Sequence, residues 1–249
     1  MRTQIKTPAE IKAMRQSGRI LATTLAELTQ MVAPGITTRL LDDKARQITA
    51  QMGAKPAFLG YNDFPAAICI SVNDEIVHGI PSDRVLAEGD IVGLDFGVTY
   101  EGMISDSAVT LPVGQISKPA QHLLTGVKKA LDMAINGLHD GIRVGDIGDI
   151  IESSLEGSNL SVIYSLGGHG VGHRVHEEPF IANFGSAGTG ETLRAGMTIA
   201  LEPIASLGSH DCVLASDGQT YITRDGSLSA QFEHTLLITP TGAEIMTQL

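Results

Sequence analysis

The chain has 249 residues, 43% of them hydrophobic, and a formal net charge of -11. That length can bury a sizeable core, and a single domain over residues 1–249 is the expectation. The acidic balance argues against nucleic acid as a direct ligand, because phosphate recognition needs clustered Lys and Arg, and no apolar run approaches the roughly 18 residues of a membrane span.

The opening Met1-Arg-Thr-Gln-Ile-Lys carries no signal-peptide core, so the cytoplasm is the expected compartment. Two cysteines, Cys69 and Cys212, provide no disulfide framework and suit reducing surroundings. Thr7-Pro8-Ala9-Glu10 then reads as a capping box with proline at the first helical position. Ile11, Met14, Gly18, Leu21, Leu25, Leu28 and Val32 follow at three-four spacing, one buried stripe that Ala33-Pro34-Gly35 ends. A shorter helix is predicted over about Thr38 to Met52, closed by Gly53. Strand candidates follow at Ala66–Val72, Ile91–Val98 and Met103–Leu111.

The helix pair then recurs, over about Pro119 to Asn136 and Asp146 to Leu155, with a turn at Asp140-Gly141-Ile142 between them. Gly35-Ile36 and Gly141-Ile142 hold equivalent places, which suggests an internal duplication; two unrelated helix hairpins are the alternative that thin identity leaves open. Further strands are expected at Met197–Glu202, Asp211–Ala215 and Phe232–Ile238. With no linker between these elements, the pattern predicts one α/β domain with a mostly antiparallel sheet.

Five residues read together as a dinuclear metal site: Asp95, Asp106, His169, Glu202 and Glu233. Each acid lies in an apolar setting, where burial is expensive unless something positive neutralises it. Four carboxylates and one imidazole match the ligand set of a two-metal hydrolase. Two bound divalent ions would make about four of the negative charges internal, leaving roughly -7.

Asp95 and Asp106 sit on strands joined by a turn around Thr99 to Gly102. Their numbers sum to an odd value, so an even-length hairpin loop puts both carboxylates on one face, opposite or diagonal; a β-bulge would break this. His169 lies among Gly167, Gly168, Gly170 and Gly172, which would allow close approach to a ligand; no Lys-Ser or Lys-Thr follows, so a phosphate loop is discounted. His173 stands four residues on, but the glycines exclude a helical zinc pair. Pro203 pushes Glu202 into extended backbone at a strand end. Glu233 is expected within its strand, facing away from Phe232, His234, Leu236 and Ile238. His78 and His176 are candidates for proton transfer or substrate contact; His122, His139 and His210 have polar settings and receive no role.

Taken in order, the motifs resemble the methionine aminopeptidases of the short bacterial type. The blocks are Tyr61-Asn-Asp-Phe-Pro, Cys69-Ile-Ser-Val-Asn, Val77-His-Gly-Ile-Pro, Gly168-His-Gly-Val-Gly-His-Arg-Val-His-Glu-Glu-Pro, Glu202-Pro and Ser229-Ala-Gln-Phe-Glu-His-Thr. The resemblance implies the pita-bread α/β fold, with pseudo-twofold halves and two helix pairs covering the sheet. It implies that Asp106 and Glu233 bridge two ions, Asp95 holds one, and His169 with Glu202 holds the other. Cobalt, manganese, iron and zinc all suit that set. It further implies that His176 stabilises the oxyanion, His78 orients the scissile amide and Glu202 moves the proton. Asn73 and Ser229 match positions around a monovalent-cation site in some relatives. The implied activity is removal of methionine from peptide and nascent-chain N-termini, with a small second residue preferred. The implied setting is a monomer working near the ribosome, without direct nucleic-acid or membrane binding.

The chain departs from the family at the methionine side chain. Gln219 stands where a tryptophan is common, and Val175 where a bulkier aromatic is. Phe58, Tyr61, Phe64 and Cys69 remain as candidate pocket walls. The same five ligands would also serve a pita-bread peptidase that cleaves before proline. A non-catalytic relative that binds a protein or RNA is the rival from another class; such a protein would usually have lost ligands.

Overall fold

The computed structural model describes residues 3–249. Its first half runs α1 (Pro8–Met31), α2 (Thr38–Gln51), β1 (Lys55–Pro56), β2 (Cys69–Val72), β3 (Glu75–Val77), β4 (Ile91–Tyr100) and β5 (Met103–Pro112). The second half opens with α3 (Lys118–Gly137) and α4 (Val144–Glu156), then β6 (Ser161–Val162), β7 (Gly167–Gly170) and β8 (Glu177–Ala182). It continues with β9 (Thr198–Leu201), β10 (Ile204–Ser206), β11 (Cys212–Leu214), β12 (Tyr221–Thr223), β13 (Ser229–Gln231), β14 (His234–Thr239) and β15 (Gly242–Ile245). Among the described residues no helix is long and apolar enough to cross a membrane.

Local chemistry starts each helix. Thr7 Oγ1 accepts from the Glu10 amide at 3.3 Å while Glu10 Oε2 accepts from the Thr7 amide at 2.7 Å, the reciprocal bonds of a capping box. Thr37 caps α2 and Ser117 caps α3 in the same one-sided way. In α1 the residues Met14, Gly18, Leu21, Leu25 and Leu28 are buried as the stripe predicts, with Ile11 and Val32 at its margins.

All strand pairings among the described residues are antiparallel. β4 is flanked by β5 on one side and by β1 and β2 on the other; the second large sheet has the order β15-β14-β9-β7-β8. Beneath α1 and α2, Leu21, Leu28 and Leu41 pack with Ile70, Leu94 and Phe96. Beneath α3 and α4, Leu123, Val127, Ile147 and Ile151 pack with Ile199 and Leu236. A smaller cluster of Met14, Met103, Val171, Ala200, Leu237 and Met246 draws side chains from both halves.

The halves repeat one another bond for bond at the turn seen in the sequence. Gly35 and Gly141 adopt φ 93° and 92°, and their amides donate to the carbonyls of Leu86 and Leu193 at 2.8 and 2.9 Å. The bridges Thr37↔Val85 and Arg143↔Thr192 follow in both halves. Asp95 lies nine residues beyond Leu86 (86 to 95) and Glu202 nine beyond Leu193 (193 to 202). Two of the candidate ligands are therefore counterparts in a duplicated unit.

Several expected boundaries shift. The strand predicted from Ala66 begins at Cys69, because the Ala67 and Ile68 amides donate to Asp42 Oδ1 instead of to a neighbouring strand. The strand predicted from Phe232 begins at His234; Glu233 stands in the break after β13, its amide paired with the Ala108 carbonyl at 2.9 Å. The strand predicted over Asp211–Ala215 is shorter, Cys212–Leu214. Strands β7 and β8 were hidden by the glycine-rich reading of their neighbourhood.

Candidate metal centre

The hairpin β4–β5 turns on two residues, Glu101 (φ 48°) and Gly102 (φ 79°), and its register runs through ten unbroken pairs. Both φ values are positive, as the favoured two-residue hairpin turns require. Asp95 faces Ala108 and Asp106 faces Gly97, so the two carboxylates are diagonal neighbours on one face.

His169 reaches the same place from β7, squeezed between β8 and β9. The glycines beside it make that squeeze possible. A Cβ on Gly168 would lie 2.4 Å from the Ala200 carbonyl oxygen, and one on Gly170 2.7 Å from that of Glu178. His169 Nδ1 lies 2.9 Å from the Gly170 carbonyl, which fixes the proton on Nδ1 and leaves Nε2 as a lone pair aimed at the acids. Glu202 follows directly after β9, its Oε1 3.6 Å from His169 Nε2.

Asp106, His169 and Glu233 have ligand atoms within 4.8 Å of one another, and all three side chains are buried. The donor set fits a divalent cation in two respects. First, Asp106 Oδ1 and Glu233 Oε1 are buried with no hydrogen-bond partner, an arrangement that is costly without a cation. Second, burial pushes the carboxyls of Asp106, Glu202 and Glu233 well above the ordinary range, and each feels the charge of at least one of the others or of Asp95. Burial alone raises Asp95 to about 7. Burial, then the neighbouring His176, lowers His169 to about 3, so its imidazole is neutral as a ligand must be.

Residues around the centre hold it in shape. Gln231 Nε2 donates to Glu202 Oε2 at 2.9 Å, and Asn183 Nδ2 donates to the Glu202 carbonyl at 2.9 Å. Thr235 Oγ1 accepts from the Asp106 amide and donates to its carbonyl. Sequence reading missed all three. Gln231 lay in plain view, two residues before Glu233; Asn183 and Thr235 carried no local signal.

A cavity of about 430 Å³ opens over these acids. Phe58, Tyr61, Phe64, Cys69, Val175 and Gln219 line it, with His78 and His176 beside the acids. Gln219 Nε2 donates to the Asn62 carbonyl at 3.2 Å, so its amide is bound across the rim. His176 Nδ1 lies 3.0 Å from the Tyr61 hydroxyl, and its ring meets His169 edge-on at 4.4 Å. His78 is held at φ 59°, an uncommon conformation for a side-chain-bearing residue; burial lowers its imidazole to about 4. Asn73 and Ser229 also meet, the Ser229 amide donating to the Asn73 carbonyl at 3.0 Å.

The profile of metallopeptidase family M24 matches residues 12–240. The chain belongs to this metallopeptidase family. A methionine aminopeptidase of Aquifex aeolicus is 44% identical to this M24 chain over the whole of both. The crystal structure of a methionine aminopeptidase from Thermotoga maritima matches with a TM-score of 0.98 at 42% identity, over 99% of this chain and 100% of that one. The prolidase of Pyrococcus furiosus shares the pita-bread fold, with a TM-score of 0.79 over 98% of this chain and 65% of its own, at 23% identity.

Proposed function

We propose that this M24 peptidase removes the N-terminal methionine from peptides and nascent proteins, preferring a small second residue. The observation that carries the reading is a cavity walled by Phe58, Phe64, Cys69 and Val175 that ends at buried, mutually repelling carboxylates. An unbranched apolar side chain suits such a pocket, and full burial of a methionine side chain is worth roughly 1.5–3 kcal/mol.

Two divalent ions, when bound, supply Lewis acidity and lower the pKa of water so that it attacks near neutral pH. Asp106 and Glu233 would hold both ions, Asp95 one, and His169 with Glu202 the other. Manganese, iron, cobalt and zinc all accept this donor set. Glu202, steadied by Gln231, moves the proton between the attacking water and the leaving amine. His176 donates to the carbonyl oxygen as charge develops on it, oriented by the Tyr61 hydroxyl. His78, neutral at physiological pH, hydrogen-bonds the scissile amide. The same reading includes a monovalent cation beside Asn73 and Ser229, where the Asn73 and Glu75 carbonyls and the Ser229 hydroxyl gather oxygen donors. The protein would work as a cytoplasmic monomer near the ribosome, on emerging N-termini.

The test is hydrolysis of Met-Ala-Ser by metal-reconstituted protein, with metal content measured in parallel and an Xaa-Pro dipeptide as the competing substrate. Release of methionine from Met-Ala-Ser is the expected result. Cleavage of the Xaa-Pro dipeptide alone, or full metal content without any hydrolysis, overturns the reading.

A further inference from the structure

The loop that carries His176 is anchored by a buried ion pair that the catalytic reading does not use. Glu177, next in sequence, turns its carboxylate back into that loop. Its Oε1 accepts from the amides of His173 and Arg174 at 2.7 and 3.0 Å. Its Oε2 has no hydrogen-bond partner among the described residues and lies 3.5 Å from Lys6 Nζ. The side-chain exposures are 0% for Lys6 and 1% for Glu177. Burying two charges in this way is costly, and breaking such a pair by removing one partner leaves an uncompensated buried charge.

Lys6 itself belongs to an arm pinned at several points. Its ammonium donates to Thr3 Oγ1 at 3.0 Å and to the Gln4 carbonyl at 3.1 Å. The Thr3 amide donates to the Glu178 carbonyl and the Lys6 amide to that of Gly196. Gly172 makes room for the arm, since a Cβ there would lie 2.5 Å from Lys6 Cε. His173, on the same loop, reaches Glu10 of α1 at 2.8 Å. The arm, the start of α1 and the loop thus close around Glu177, one residue from the imidazole that meets His169.

We propose that Lys6 and Glu177 are positioning residues for His176: the N-terminal arm latches the 172–177 loop and so sets the imidazole against the metal centre. The catalytic part of this rests on the role given to His176 above. The latch acts through the two amides that Glu177 accepts, with Lys6 as the counter-charge that lets the carboxylate stay buried.

The test compares wild type with two double variants as folded, metal-loaded protein. K6M/E177L replaces the pair by apolar groups of similar size, which folds tolerate well. K6M/E177Q removes both charges but keeps an acceptor for the His173 and Arg174 amides. The readouts are melting temperature, zinc stoichiometry, the His176 ring nitrogen resonances of the zinc-loaded protein, and kcat and KM on Met-Ala-Ser. In K6M/E177L the His176 resonances shift and kcat falls by about tenfold or more, while KM stays within about twofold and zinc stoichiometry is unchanged. K6M/E177Q retains the wild-type resonances and most of kcat. An unmoved His176 resonance with full kcat in folded K6M/E177L overturns the proposal, and so does an equal loss in both double variants. Thr3→Val, isosteric and on the arm, must move the resonance from its wild-type position even if K6M/E177L fails to fold; no movement overturns the latch. If the resonance moves but His176→Ala keeps wild-type kcat, the latch stands and the catalytic role of His176 falls.

Discussion

At the scale of single residues, the centre is a set of groups that repel one another until something positive arrives. Asp106 shows this most sharply, buried with Oδ1 unpartnered and facing the charges of Asp95 and Glu202. Asp106→Asn should therefore have opposite effects in two states. Metal-free, the variant should melt above wild type, because the cost of keeping that buried carboxyl either charged or protonated at neutral pH is gone. With divalent metal in excess the order should reverse, since the variant has lost a ligand, and turnover should drop by several orders of magnitude. Calorimetry with and without chelator decides it; the same order in both states would remove Asp106 from the ligand set. Gln219 is a second residue with a distinct prediction. Its amide is bound to the Asn62 carbonyl across the cavity rim, so it closes the pocket by a polar strut where an indole would close it by apolar contact. Gln219→Trp should widen the preference for Met-Ala-Ser over Leu-Ala-Ser, within the roughly 1–3 kcal/mol that apolar shape discrimination supplies. An unchanged ratio of kcat/KM values would show that position 219 does not meet the first side chain.

At the scale of elements, α1 depends on Glu10 twice. The carboxylate accepts from the Thr7 amide and pairs with His173, and the first of these bonds is the main cause of its depressed pKa, about 2 against an ordinary 4.5. A carboxyl depressed in the folded state contributes stability above 4.5 that is lost as pH falls through about 2. The group is partly exposed, so its contribution is small, under about 1 kcal/mol. Glu10→Gln should lower stability slightly at pH 7, and the difference should shrink steadily between pH 4.5 and about 2, as followed by urea titration. A pH-independent difference would assign the effect to capping alone. The capping box was legible in four consecutive residues because every partner is local. Strand β7 was not, because what its glycines accommodate is the backbone of β8 and β9, distant in sequence.

At the scale of the whole molecule, the centre lies where the duplicated halves meet. Asp95 and Asp106 come from the first half, His169, Glu202 and Glu233 from the second, and Thr235 of the second half clasps the Asp106 backbone of the first. Any ion held by both sets ties the halves together and binds only the folded state. At about 1,000 times its Kd, a divalent ion should add about 4 kcal/mol, or roughly 8–16 °C in Tm for a chain of this size. A melting temperature indifferent to metal would show that no ion is held across the seam.

The sequence by itself determined what can be settled within short windows. These are the capped start of the first helix at Thr7, the shared face of Asp95 and Asp106, and the acid-rich composition of the candidate ligand set. It also exposed the repeat at Gly35 and Gly141, because glycine enters the left-handed region at far lower cost than other residues. Only the tertiary structure decided how these pieces converge. Glu233 was expected inside a strand and instead occupies a break, fixed by pairing with Ala108 across the two halves. Gln231 and Asn183 acquire their task only when Glu202 is brought to them, and Lys6 becomes a buried partner of Glu177 across 171 residues of chain (6 to 177). Propensity and alternation are local properties of the backbone, whereas the cost of a buried charge depends on which distant groups surround it.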